Sequence, residues 1–377
     1  MSRLALLAAA LLVVGCGEAV GPRSERHDPR GPALDVAVTG GSIALDQHNG
    51  KLGETTTIWQ DFRPTNPHHG DAVVVTFYWV GSTNIITRVY DHLSDAAQTP
   101  VGNTYTLVEY VTAGGVSMAT YVATNVQNFP EGTFPDGDQD LVVHADLASP
   151  IQDGGLTIAA FSGVGAVTAE ALSGHLSATG SGSTYPTIAD PGSLPIDAGA
   201  LVYGVTMSPN GRAAEVPVGF ASLGTMTSPS FWIEPDFGIA TSTGSVEPTW
   251  NWYFDAPGTW LAAALVLRPQ ATQLAFTVQP STTPPLMTIK PAVKVTALDA
   301  AGDPVTSYDG PVTITIGSNG GLLMPGTLSG TTTVTAVNGI ATFSDLSVDQ
   351  IGNGYTLNVT ASGLAGAESK PFNIGAF

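Results

Sequence analysis

After Asp35 no stretch of a dozen residues spaces its apolar side chains three and four apart, and short apolar runs are broken repeatedly by Gly, Pro, Asn, Asp, Thr and Ser. A chain patterned this way buries its apolar groups by pairing strands, so the expected fold class is all-β. Gly numbers 44 and Pro 27, and charged residues make up 11%. An average soluble domain carries about 25% charged residues, so the profile is one of many turns and extensive burial. Cys16 is the only cysteine, which excludes an internal disulfide and leaves packed cores to hold the fold.

The clearest strands are expected at 72–80, 85–91, 104–111, 116–124, 141–145, 156–161, 201–207, 250–254 and 260–267. Thr104 to Thr124 reads as a hairpin, because Gly114 and Gly115 supply the positive φ angles of a tight turn between runs of Val, Tyr and Thr. In its first arm Tyr105, Leu107, Glu109 and Val111 share one face, and Thr104, Thr106, Val108 and Tyr110 the other. The run Thr259 to Leu267 is apolar on both faces and ends at Arg268-Pro269, which reads as a central strand and then a boundary. Residues 36–269 are therefore expected to form one large β-sandwich of about fourteen strands, a size that suits a jelly roll. Gly102 to Val108, Gly114 to Ser117 and Trp260 to Ala263 with Leu267-Arg268-Pro269 are similar to concanavalin-like or lectin-like modules of secreted bacterial proteins. That resemblance carries over no functional residue.

Residues 270–377 read as a smaller sandwich. About seven strands at regular spacing are expected there, with Asn338-Gly339 as a two-residue hairpin turn between 331–337 and 340–346. Val312, Ile314 and Ile316 alternate with Thr313 and Thr315, one set to the core and one to water. The segments Gln273 to Pro280, Pro291 to Ala297, Asp299 to Asp303, Gly326 to Thr332 and Gly354 to Leu357 resemble the immunoglobulin-like repeats of bacterial surface proteins, of the invasin and Big-domain kind. The resemblance implies a stalk, spacer or adhesion unit.

The N-terminus addresses location. Arg3 precedes an unbroken run of Leu, Ala and Val from Leu4 to Val14, then Gly15 and Cys16, the layout of an export signal in residues 1–16. The run is too short to span a bilayer, which takes about 20 apolar residues. Val13-Val14-Gly15-Cys16 resembles the lipobox of bacterial lipoproteins, which implies that the Cys16 thiol is lipidated and anchors the protein to the cell envelope. By the same resemblance, Gly17 after the cysteine favours the outer membrane. Residues 17–35 lack large apolar groups and read as a flexible tether with an average span of roughly 25 Å.

Thirty-one acidic residues stand against 12 basic ones, a net charge of -19. That balance argues against nucleic acid or anionic lipid as a partner. Asp136, Asp138 and Asp140 read first as a solvated turn before the strand at 141–145 and second as the candidate ligands of a structural calcium ion. Leu141 and Leu147, however, stand where a calcium loop places its glycine and its bidentate glutamate. His68-His69 lies in a polar loop, where adjacent side chains of an extended segment point apart and do not share a metal. No catalytic residue is assigned: Gly-x-Ser-x-Gly, His-Glu-x-x-His and a Glu-x-Asp-x-x-Glu strand are all missing. Trp250, Trp252 and Phe254 alternate with polar residues, and such rings are more often core than surface. Trp232, Trp250 and Trp252 are nonetheless the candidate ligand-binding aromatics. The expected role is a non-enzymatic, lipid-anchored surface protein that binds a glycan or another surface component. A carbohydrate-active enzyme and a purely structural envelope protein are the alternatives.

Overall fold

The computed structural model describes residues 42–134 and 139–375. Cys16, the tether, Asp136 and Asp138 lie outside the described residues. The described chain is a β-sandwich protein, and its one helical piece among those residues is a single turn, Thr168–Ala171.

Residues 44–267 build a β-sandwich whose two large sheets share one core. They form two successive copies of one plan. The first copy comprises β1 (Ala44–Leu52), β2 (Ile58–Asp61), β3 (Ala72–Val80), β4 (Ile86–Leu93), β5 (Thr106–Ala113), β6 (Val116–Ala123), β7 (Leu141–Leu147) and β8 (Gly154–Ser162). Its large sheet runs β1-β8-β3-β6-β5 and its small sheet β2-β7-β4. The second copy comprises β9 (Leu172–Gly182), β10 (Thr187–Ala189), β11 (Leu194–Ile196), β12 (Leu201–Ser208), β13 (Ala213–Glu215), β14 (Ala221–Ser222), β15 (Met226–Thr227), β16 (Trp232–Ile239), β17 (Gly244–Val246), β18 (Trp250–Tyr253) and β19 (Gly258–Leu267). Its large sheet runs β9-β19-β12-β16-β14 and its small sheet β10-β18-β13. Replacing β1, β8, β3, β6 by β9, β19, β12, β16, and β2, β7, β4 by β10, β18, β13, carries the first copy onto the second.

The correspondence extends to irregularities of the backbone. Asp46 is the extra residue between the pairs Leu45↔Phe161 and Gln47↔Ala160, and Ser173 is the extra residue between Leu172↔Leu267 and Gly174↔Val266. Two residues before each central strand stands a glycine with positive φ, Gly70 at 95° and Gly199 at 80°. The N–H of Gly70 donates to Val126 O at 3.0 Å, and that of Gly199 to Ala240 O at 2.7 Å. The bridge Thr65↔Thr133 in the first copy occupies the place of the β11–β17 pair in the second.

The two large sheets face each other. Val74, Met118 and Phe161 of one meet Tyr203, Phe237 and Leu265 of the other, with Phe161 edge-on to Phe237 at 5.4 Å. The hydroxyls of Thr76 and Tyr203 share a hydrogen bond of 2.9 Å across this interface. The opposite faces are covered by the small sheets: Val73, Phe77 and Ile158 lie against Val143 and Ala145, while Ala262 lies against Trp250 and Trp252. Large sheets in the middle of four layers are buried on both sides, which explains why β3 and β19 lack polar alternation. Each large aliphatic or aromatic side chain so buried contributes about 1.5–3 kcal/mol.

The β5–β6 hairpin turns at Gly114 and Gly115, with φ of 59° and 81°. The face assignment in its first arm needs correction. The register shifts between Leu107 and Glu109, so Val108 and Val111 both reach the inter-sheet core while Tyr105 and Tyr110 face the small sheet.

Residues 273–374 have a core of their own, built on Val293, Val295, Ile314, Phe343, Tyr355 and Leu357. Asn338 and Gly339 both adopt positive φ, 49° and 76°, as a tight turn demands. The flanking strands then part: Thr333–Thr335 joins Pro311–Ile316, and Ile340–Phe343 joins Val293–Leu298. The turn therefore crosses between strand pairs and does not close a long hairpin. Since this core draws on nothing outside it, residues 270–377 expressed alone should give a β-type circular dichroism spectrum and one cooperative thermal transition. A disordered spectrum would refute that independence.

Candidate functional site

Asp46, His68 and Asp71 bring three potential ligand atoms within 4.8 Å of one another. Each arrives by a different local device. The bulge in β1 turns the Asp46 side chain out of the strand's alternation. His68 occupies the turn before Gly70, and Asp71 is the buried residue from which β3 starts. The His68 backbone N–H donates to Asp46 Oδ2 and to Asp71 Oδ2, 3.1 Å each, so the two carboxylates converge on one point. The imidazole Nδ1 of His68 lies 3.0 Å from Asp46 Oδ2. Burial, with the Asp46 carboxylate beside it, pushes the Asp71 carboxyl up to about 7. The hydrogen bond to Asp46 raises the His68 imidazole above its ordinary value. His69 points elsewhere, its Nε2 2.7 Å from Phe129 O, so the two histidines share no ligand.

The aromatic candidates are placed differently from one another. Trp250 and Trp252 are 0% exposed and offer no surface to a ligand. Their period-two spacing directs both rings inward, where the Trp250 indole donates to Asp236 Oδ2 at 2.6 Å and the Trp252 indole to Thr206 Oγ1 at 2.9 Å. Trp232 is half-buried against the same cluster. The exposed aromatic surface is the other face of β18. There Tyr253 stacks on Tyr185 with centroids 3.7 Å apart, both rings more than 40% exposed. Glu215 accepts from Tyr185 OH at 2.8 Å and from Asn251 Nδ2 at 3.2 Å, and exposed Ile188 lies opposite Asn251. The first copy also carries aromatics on its small sheet, but cations cap them: Lys51 lies over Trp59 at 3.8 Å and Arg88 over Tyr90 at 3.9 Å.

Two further clusters of titratable groups are internal. Glu234 and Asp236 are neighbours on one face of β16 and are both buried; Ser222 and Thr225 donate to Glu234. Burial, then the adjoining Glu234, pushes Asp236 up to about 8. In the first copy His92 Nδ1 lies 2.7 Å from Leu93 O, which fixes the proton on Nδ1 and makes Nε2 the acceptor from His144 Nδ1 at 3.3 Å. His144 Nε2 is then a bare acceptor, buried without a hydrogen-bond partner, and burial lowers this imidazole below its usual value.

Of the expected calcium ligands only Asp140 is described, and it is buried, held by Arg63 Nε at 2.7 Å. It serves as the anchor of an ion pair at the head of β7. No protein-family model matches the chain, and no curated protein matches it either.

Proposed function

We propose that the protein is a glycan- or surface-binding protein of the bacterial cell envelope, held by a lipid on Cys16, with the outer face of the second copy's small sheet as its contact surface. The observation that carries this reading is the Tyr185–Tyr253 stack, an exposed aromatic platform flanked by the Glu215 carboxylate and the Asn251 amide. A flat ring beside hydrogen-bonding groups suits the apolar face and hydroxyl rim of a sugar. The platform is already ordered, since Glu215 clamps the Tyr185 hydroxyl and the Asn251 amide, so little conformational freedom is lost on binding. Glu234 and Asp236 lend no support to the glycoside hydrolase alternative, because both are buried and spent on internal hydrogen bonds, Asp236 with the Trp250 indole and Glu234 with Ser222 and Thr225.

The full chain carrying Cys16→Ser, screened on a glycan array, should retain a defined set of glycans. Tyr253→Ala should weaken those signals at least tenfold without altering the melting temperature, because the ring is on the surface. Absence of any retained glycan, or equal retention by Tyr253→Ala, would remove this reading. The anchor has its own test. In a bacterial host, labelled palmitate should enter the wild type and not Cys16→Ser; label in the variant would exclude lipidation at that thiol.

A further inference from the structure

We propose that Asp46, His68 and Asp71 bind a divalent transition-metal ion of the zinc class. The donor set selects the ion. Two carboxylates with one imidazole nitrogen suit zinc or cobalt, whereas calcium and magnesium take oxygen ligands. The three ligand atoms lie within 4.8 Å of one another. A tetrahedral ion with bonds of about 2.1 Å holds its ligands roughly 3.4 Å apart, so a small side-chain rotation closes the set. Asp71 is buried and His68 is exposed, which leaves the imidazole side open for an ion to arrive and to keep a water as its fourth ligand.

An independent observation comes from the second copy of the fold. The bulge residue there is Ser173, and the turn residues before the central strand are Asp197 and Ala200. The backbone is the same: Asp71 N–H donates to His68 O at 3.2 Å, and Ala200 N–H to Asp197 O at 3.1 Å. In that copy one carboxylate faces a permanent cation, with Arg268 Nε 3.1 Å from Asp197 Oδ2 and Thr306 of the C-terminal domain donating to the same oxygen at 2.8 Å. In the first copy two carboxylates converge at the matching place, and among the described residues the basic group bonded to them is His68. The three ligands lose their protons on binding, and one divalent ion then balances the two carboxylate charges.

The test is isothermal titration of the full chain carrying Cys16→Ser, which removes the lone thiol as a competing ligand, after EDTA treatment and its removal. Zinc chloride should bind at one equivalent with a micromolar dissociation constant, and a tenfold excess of calcium should not displace it. His68→Ala, an exposed position that leaves the fold intact, should weaken binding at least tenfold, and Asp46→Asn likewise. His69→Ala should bind as the parent does. Cobalt(II) should give the visible absorption of a four- or five-coordinate site, lost in His68→Ala. Failure of the parent to bind zinc, or stoichiometric binding unaffected by His68→Ala, overturns the proposal. Neither result bears on the glycan platform, which lies on the other copy.

Discussion

Trp250→Ala should lower stability by about 3–5 kcal/mol, the usual cost of emptying a large aromatic site in a core. For a unit of this size that is a drop in melting temperature of roughly 6–20 °C. The indole is fully buried in a slot that the sequence makes by leaving out a side chain: a Cβ on Gly204 of β12 would stand 2.9 Å from the ring. The cost of the truncation is double. It opens a cavity, and it removes the N–H that donates to Asp236 Oδ2 at 2.6 Å. Trp250→Phe separates the two parts, since it keeps most of the ring and removes the donor; it should cost about 1–3 kcal/mol. Tyr253→Ala, on the outer face of the same strand, should stay within about 0.5 kcal/mol of wild type. Denaturant melts of the three variants decide the matter. A Trp250→Ala protein within about 1 kcal/mol of wild type would mean that this cluster is not a core.

The all-β class and the inward aromatics of β18 were legible because each rests on local pattern. Alternation puts Trp250 and Trp252 on one face whatever lies across from it. The duplication was not legible, because what the copies share is backbone: a bulge at Asp46 and Ser173, a positive φ at Gly70 and Gly199, and one order of strands. Many side chains satisfy those requirements, and the copies use different ones, Asp71 against Ala200 and Tyr78 against Met207. The His/Asp group was half visible. His68 and Asp71 lie three residues apart in one turn, and a turn with an acid at its end could have been read as a ligand pair. Asp46 enters only because β1, β8 and β3 are neighbours in one sheet and because an extra residue in β1 redirects its side chain. The exposed tyrosine platform has the same origin, since Tyr185 and Tyr253 meet only through the pairing of β10 with β18.

In buffer containing EDTA, the melting temperature should rise as the pH is lowered from 8.5 to 6.5. Asp236 is the main cause. Its carboxyl is raised to about 8 in the folded protein by burial and by Glu234, while the unfolded chain releases that proton near 3.8. Between those values the folded state holds a proton that the unfolded state lacks, so stability falls as the pH rises through the window and is fully present below it. Each such proton contributes a slope of at most about 1.4 kcal/mol per pH unit. Asp71, raised to about 7, acts in the same direction over the lower part of the range. His144 opposes both, but only in acid: its imidazole is lowered from 6.5, so below that pH the unfolded chain takes up a proton that the folded state refuses. The interval from 8.5 to 6.5 therefore leaves out His144, while His68, raised above its ordinary value by its hydrogen bond to Asp46, adds to the carboxyls in the same direction. Asp236→Asn, which keeps the shape and accepts from the Trp250 indole through its amide oxygen, should remove most of the slope. Asp71→Asn should remove a smaller part, confined to the lower end. An unchanged slope in Asp236→Asn would show that this carboxyl is ionised in its core.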